Sequence, residues 1–124
     1  MTLTASTYGN VIVVAPTGHI DHTAADGFEE ALKPFVEQCA SGNNFLVLDL
    51  SQVEYMSSAG LRVLMAADRK LADRNDAIAV AGMQSEMREI FEISRFHMIF
   101  KTFDNVRDAL EALSRDALLA FESA

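Results

Sequence analysis

Apolar residues along this chain recur in two rhythms. Short runs of strand length, Val11–Ala15, Phe45–Leu50 and Ala77–Ala81, alternate with longer stretches in which apolar positions return every three or four residues. Leu3–Thr7 precedes the first run, and Tyr8-Gly9-Asn10 between them predicts a hairpin, because glycine and asparagine both tolerate positive φ. Pro16 closes the second strand, since it cannot donate to a ladder. Gly18-His19-Ile20-Asp21 then leads into a helix capped by Thr23, with Phe28, Leu32 (beside Ala31), Phe35 and Cys39 as its buried stripe. Pro34 lies inside that stripe and predicts a bend. Ser41-Gly42-Asn43 ends the helix.

The chain is organised around Asn44 to Ala67. Phe45–Leu50 is a buried strand, followed by a polar connection through Ser51, Gln52 and Glu54. A helix then runs from Ser58 to Arg74, with Leu61, Leu64, Met65 and Leu71 on one face and Asp68 as an acidic break, stopped near Asn75-Asp76. Ala77–Ala81 is another buried strand, ending at Gly82. Ser85–Ile93 reads as a short helix with Met87, Ile90 and Phe91 inward, and Met98–Phe100 as a short strand or extended segment. Asp104 caps a last helix to Leu119 with Val106, Leu110, Leu113 and Ala117 on one face. Strands separated by helices predict parallel pairing after the initial hairpin. The expected architecture is α/β: one domain over residues 1–124, a mixed β-sheet beginning with an N-terminal hairpin and packed by about four helices.

Length and charge narrow the function. At 124 residues the chain buries a core without disulfides or metals. No apolar run approaches the roughly 18 residues of a membrane span, and no stretch combines a basic with an apolar face. The formal charge of −8 argues against nucleic acid, whose phosphates need clustered Lys and Arg, and suits a basic protein surface as partner. A single cysteine, Cys39, and an N-terminus without an export pattern make the cytoplasm the expected location.

Two hydroxyls, Ser57 and Ser58, stand at the start of the central helix. A serine there has two readings, a cap accepting from first-turn amides or a site of phosphorylation favoured by the helix dipole. Asp21 and His22 lie in the turn before the first helix. His19-x-x-His22 with Asp21 is a weak metal pattern, lacking cysteine or a second cluster, and no metal is expected. Arg62 points to solvent, as a contact for an acidic or phosphate group or as plain surface charge. Met83 is either core or part of an adaptable patch with Met56 and Leu61. His97 is a surface histidine. No catalytic residue emerges: Ser57-Ser58-Ala59-Gly60 is not a nucleophile elbow, and no phosphate-binding loop with its lysine occurs.

Asp49 at a strand end, then Tyr55, Met56, Ser57-Ser58, Gly60 and Leu61, resembles the signature of STAS domains, and among them the bacterial anti-sigma factor antagonists. Aligned on Met56, Gly60 and Leu61, Ser57 stands where an aspartate is usual and Ser58 on the phosphorylated serine. Ser58 is thus the implied phospho-acceptor, with Ser57 the alternative. Phe91–Phe96 resembles the family's short-helix segment, with Arg95 where a glycine is common. The resemblance implies a partner-switching protein that is not an enzyme and holds no cofactor. Unphosphorylated, it would bind an anti-sigma factor that is also a serine-protein kinase, which uses Mg-ATP to modify it; a PP2C-type phosphatase would reset it. Asp21, His22, Met56, Ser57, Ser58, Gly60, Leu61, Arg62 and Met83 are the implied partner-binding residues, on a monomer or weak dimer. The rival expectation is a STAS docking subunit of a transport or signalling complex, without phosphorylation.

Overall fold

The computed structural model describes residues 3–74 and 77–124. β1 (Leu3–Tyr8) and β2 (Val11–Pro16) form the expected antiparallel hairpin. Its two-residue turn uses positive φ at Gly9 alone (55°), a glycine-first turn rather than one with both residues left-handed. β2 pairs in parallel with β4 (Phe45–Asp49), β4 with β6 (Ile78–Ala81), and β6 with β7 (Lys101–Phe103), giving the order β1-β2-β4-β6-β7. The fold is therefore the expected mixed α/β sheet. α1 (Ala25–Gly42), α2 (Ser58–Lys70) and α3 (Ser85–Ile93) cover one face. α4 (Val106–Leu113) and α5 (Arg115–Ser123) cover the other.

Among the described residues, five helices rather than about four result from a break at Ser114, whose backbone is extended (φ −160°, ψ 118°) and whose hydroxyl accepts from Ala117 N at 3.2 Å to begin α5. Asn105, not Asp104, caps α4, its side chain accepting from Asp108 N at 2.8 Å. α1 runs through Pro34 without interruption, with Pro34 exposed. Its stripe is completed by Val36, four residues beyond Leu32, while Phe35 is half-buried and packs at the edge of the same core. Nor does Thr23 cap α1: Ala24 holds that position without a side-chain bond.

α2 stops at Lys70 instead of reaching Arg74; the expected stop at Asn75-Asp76 lies outside the described residues. Arg74 serves α1 instead. Its Nη2 donates to the carbonyls of Cys39 (3.0 Å) and Asn44 (2.7 Å), satisfying acceptors where α1 ends at left-handed Asn43. Burial pushes the Cys39 thiol up to about 11, with the Arg74 charge acting the other way. Met98–Phe100 is not a strand: a 3-10 turn spans Phe96–Met98, and pairing begins only at Lys101. Arg95 opens that turn in the left-handed conformation (φ 63°), so an arginine adopts the geometry a glycine would favour.

Candidate functional site at the start of α2

Two short strands absent from the sequence expectation create the site. β3 (Gly18–Ile20) and β5 (Val53–Met56) pair in parallel as a separate ribbon beyond the carboxyl edge of the main sheet. Each prolongs a main strand after a sharp turn. Gly18 turns with φ 83° and its N–H donates to Gln52 O at 2.8 Å. On the other side Asp49 Oδ1 accepts from Ser51 N at 3.0 Å, and Val53 N donates to Leu50 O at 3.0 Å. The aspartate at the strand end therefore builds a turn. The connection expected to be merely polar is a strand with Val53 and Met56 inward and Glu54 and Tyr55 exposed.

This ribbon sets the start of α2. Ile20 pairs with Met56, and one residue on, Ser57 N donates to Ile20 O at 2.9 Å. Asp21 thus follows the end of β3 as Ser57 follows the end of β5. Ser57 is the cap: its backbone is extended, its Oγ accepts from Gly60 N at 3.4 Å and its carbonyl accepts from Leu61 N at 2.9 Å. Ser58 is the first helical residue, exposed, and its hydroxyl enters no hydrogen bond with the described residues. The two serines are thus distinct, one committed to the cap and one turned to solvent at the positive end of the helix dipole.

Gly60 allows the helix to sit this close. A Cβ there would lie 2.6 Å from Met56 Cγ, 3.0 Å from Ile20 Cγ2 and 3.2 Å from Ile20 O. Its φ is not positive, so the requirement is space rather than conformation. Asp21 organises the other lip. Its Oδ1 accepts from Thr23 Oγ1 (2.7 Å) and from the amides of Thr23 and Ala24 (3.0 Å each). The Thr23 hydroxyl, then the Ala24 amide, hold the Asp21 carboxyl below its usual value against a smaller opposing effect of desolvation.

Of the implied contact residues, Asp21 and His22 follow β3, while Ser57, Ser58 and Arg62 lie at the start of α2, with His22, Ser58 and Arg62 exposed. Met56, Leu61 and Met83 do not form an exposed patch: they are 1%, 8% and 9% exposed and belong to the core under α2 and α3. Gly60 is likewise buried. Of these four, Met56 and Gly60 touch directly beneath the start of α2. His19 faces Glu54 instead of joining His22, with Nε2 to Oε2 at 3.0 Å. Its ring also lies 6.2 Å from that of Tyr55, and all three side chains form an outer ribbon surface beside the site. The sequence reading missed that surface because Val53–Met56 buries its ends and exposes its middle, so no two-residue alternation announces it. No helix among the described residues is long and apolar enough to cross a membrane.

Comparison with known proteins agrees with this geometry. The STAS domain model matches residues 2–109. BtrV of Bordetella bronchiseptica, itself described only provisionally as an anti-sigma factor antagonist, is 31% identical over 118 residues, covering 95% of this chain and 98% of its own. The anti-sigma-F factor antagonist RsfB of Mycobacterium tuberculosis is 31% identical over 110 residues, 89% of this chain and 87% of its own. The crystal structure of an anti-sigma factor antagonist from Mycobacterium paratuberculosis superposes with a TM-score of 0.78 at 28% identity, covering 90% of this chain and 92% of that one. With the family model matched over most of its length and relatives at 31% identity, the chain belongs to the STAS domain family.

Proposed function

We propose that this protein is an anti-sigma factor antagonist controlled by phosphorylation of Ser58. The carrying observation is the division between the two serines: Ser57 Oγ caps α2 while Ser58 is exposed and uncommitted. Unmodified, the surface of Asp21, His22, Ser58 and Arg62 binds an anti-sigma factor that is also a serine kinase, which releases its sigma factor. The kinase brings Mg-ATP; this chain supplies the hydroxyl, is not itself catalytic and holds no cofactor. A PP2C-type phosphatase restores the binding form, and the exchange takes place in the cytoplasm.

The energetics suit a switch. A phosphate adds about −1.5 to −2 charge at pH 7. At the first helical residue its effect on the fold is mildly favourable, about 0.3–1 kcal/mol. Inside a packed interface the same group is desolvated beside Asp21, and a hundredfold loss of affinity needs only about 2.8 kcal/mol.

The test is peptide mass spectrometry after incubation with candidate anti-sigma kinases and Mg-ATP, paired with binding measurements. One phosphate on Ser58, and loss of kinase binding by Ser58→Asp but not Ser58→Ala, supports the reading. Phosphate on Ser57 moves the acceptor by one residue. Absence of phosphate together with stable binding to a transport or scaffold protein replaces the switch by a docking subunit.

A further inference from the structure

The main sheet has two open edges, and they are not alike. β7 is three residues long and begins with Lys101, the short and charged kind of edge that discourages pairing. β1 is six residues, Leu-Thr-Ala-Ser-Thr-Tyr, without charge or proline, and among the described residues β2 is its sole neighbour in the sheet. Thr4 to Thr7 are exposed. α5 steadies one end of the strand, with the Phe121 ring edge-on to Tyr8 at 5.1 Å.

The register says which groups point outward. Tyr8 and Val11 close a two-residue turn, so they are a hydrogen-bonded pair, as are Ser6 with Val13 and Thr4 with Ala15 by alternation. The other side of β2 agrees, since Phe45 N donates to Asn10 O at 2.9 Å and even-numbered positions there serve β4. Leu3, Ala5 and Thr7 therefore turn their N–H and C=O groups to the open side. These three positions are symmetric about Ala5. A second β1 running antiparallel brings Ala5 opposite Ala5, and Leu3 opposite Thr7, each as a hydrogen-bonded pair. Thr4 then faces Ser6, and no charge meets a like charge across the seam.

We propose that two copies of this chain associate through their β1 edges, two-fold about Ala5, into a continuous ten-stranded sheet. About six backbone hydrogen bonds join the copies. An edge of six residues without charge, proline or a bulge lacks the devices that keep a strand from pairing with its own copy, and that makes a second copy the occupant. A charge of −8 on each copy opposes the encounter, so association is weak at low ionic strength and tightens with salt.

Sedimentation of the intact chain between about 5 and about 200 μM tests this by mass action. The expected result is a rise in mass from 13.6 kDa toward twice that value, steeper with added salt. Ala5→Lys places two ammonium groups opposite each other at the axis, whereas Thr4→Lys adds the same charge opposite Ser6. The dissociation constant should rise at least about fivefold more for the former than the latter. Ala5→Pro deletes an outward N–H that β2 does not use and should also weaken the dimer; circular dichroism checks its fold, and Ala5→Lys decides if that fold is lost. A wild-type chain that stays monomeric throughout overturns the proposal. So does a dimer that Ala5→Lys and Thr4→Lys affect equally or not at all, which would place the contact elsewhere.

Discussion

The two faces of the main sheet are built from different materials. Toward α1 and α2, Ile12, Leu46, Leu48 and Val80 meet Phe28, Leu32 and Leu64. Toward α4 and α5, Val11, Val13, Val47, Ala79 and Ala81 meet Ala109, Leu110 and Ala117. One strand shows the division: in β6, Ile78 and Val80 face the first layer, and Ala79 and Ala81 the second. The small residues of the second layer lie at its centre, and larger ones, Phe45, Phe103, Leu113 and Phe121, pack around them half-buried. The first layer is fully buried over a wider area and carries α2, whose first residue is Ser58.

The comparison breaks most readily in the core. Leu48→Ala should cost about 2–5 kcal/mol in urea denaturation. Val47→Ala, its neighbour facing α4 and α5, removes fewer atoms and should cost clearly less; equal losses would remove the distinction. Next comes the seat of α2. Gly60→Ala drives a methyl into Met56 and Ile20, an overpacking expected to cost about 1–3 kcal/mol. Part of that cost should vanish in a Met56→Ala background, which a double-mutant cycle measures. An additive result would mean that the Ile20 backbone, not Met56, sets the limit.

The serines sharpen the comparison on a smaller scale. Ser57→Ala loses the cap and should cost about 0.5–2 kcal/mol, at the low end because the 3.4 Å bond is long. Ser58→Ala should stay within about 0.5 kcal/mol, since its hydroxyl has no structural partner. Thermal melts of the two variants decide between separated roles and a shared one. A small, pH-dependent effect is expected from Asp21→Asn. The folded state holds the Asp21 carboxyl below its ordinary 3.8, so its ionised form stabilises the fold above that pH. As pH falls through 3.8 and then through the lower folded value, the wild type loses this advantage. The difference in Tm between wild type and Asp21→Asn should therefore shrink in acid; a constant difference would assign the effect to shape rather than charge.

Local signals in the sequence were enough for the hairpin, the buried strands β4 and β6, the beginning of α2 at Ser58 and the alternation that makes the sheet mixed. Hydrophobic period, glycine at a turn and serine at a helix start act over a few residues, so they are readable without a fold. They also identified Ser57 and Ser58 as a pair, but left their roles interchangeable. What separated them was Ile20: its carbonyl takes the Ser57 amide, a contact between positions far apart in the chain. The β3–β5 ribbon was invisible for the same reason, since three- and four-residue strands carry little pattern until they find each other. Met83 read equally well as core or as part of a contact patch with Met56 and Leu61, and only packing made all three core. Periodicity determined which elements form; long-range pairing, whose partners no local pattern encodes, decided which hydroxyl faces the solvent.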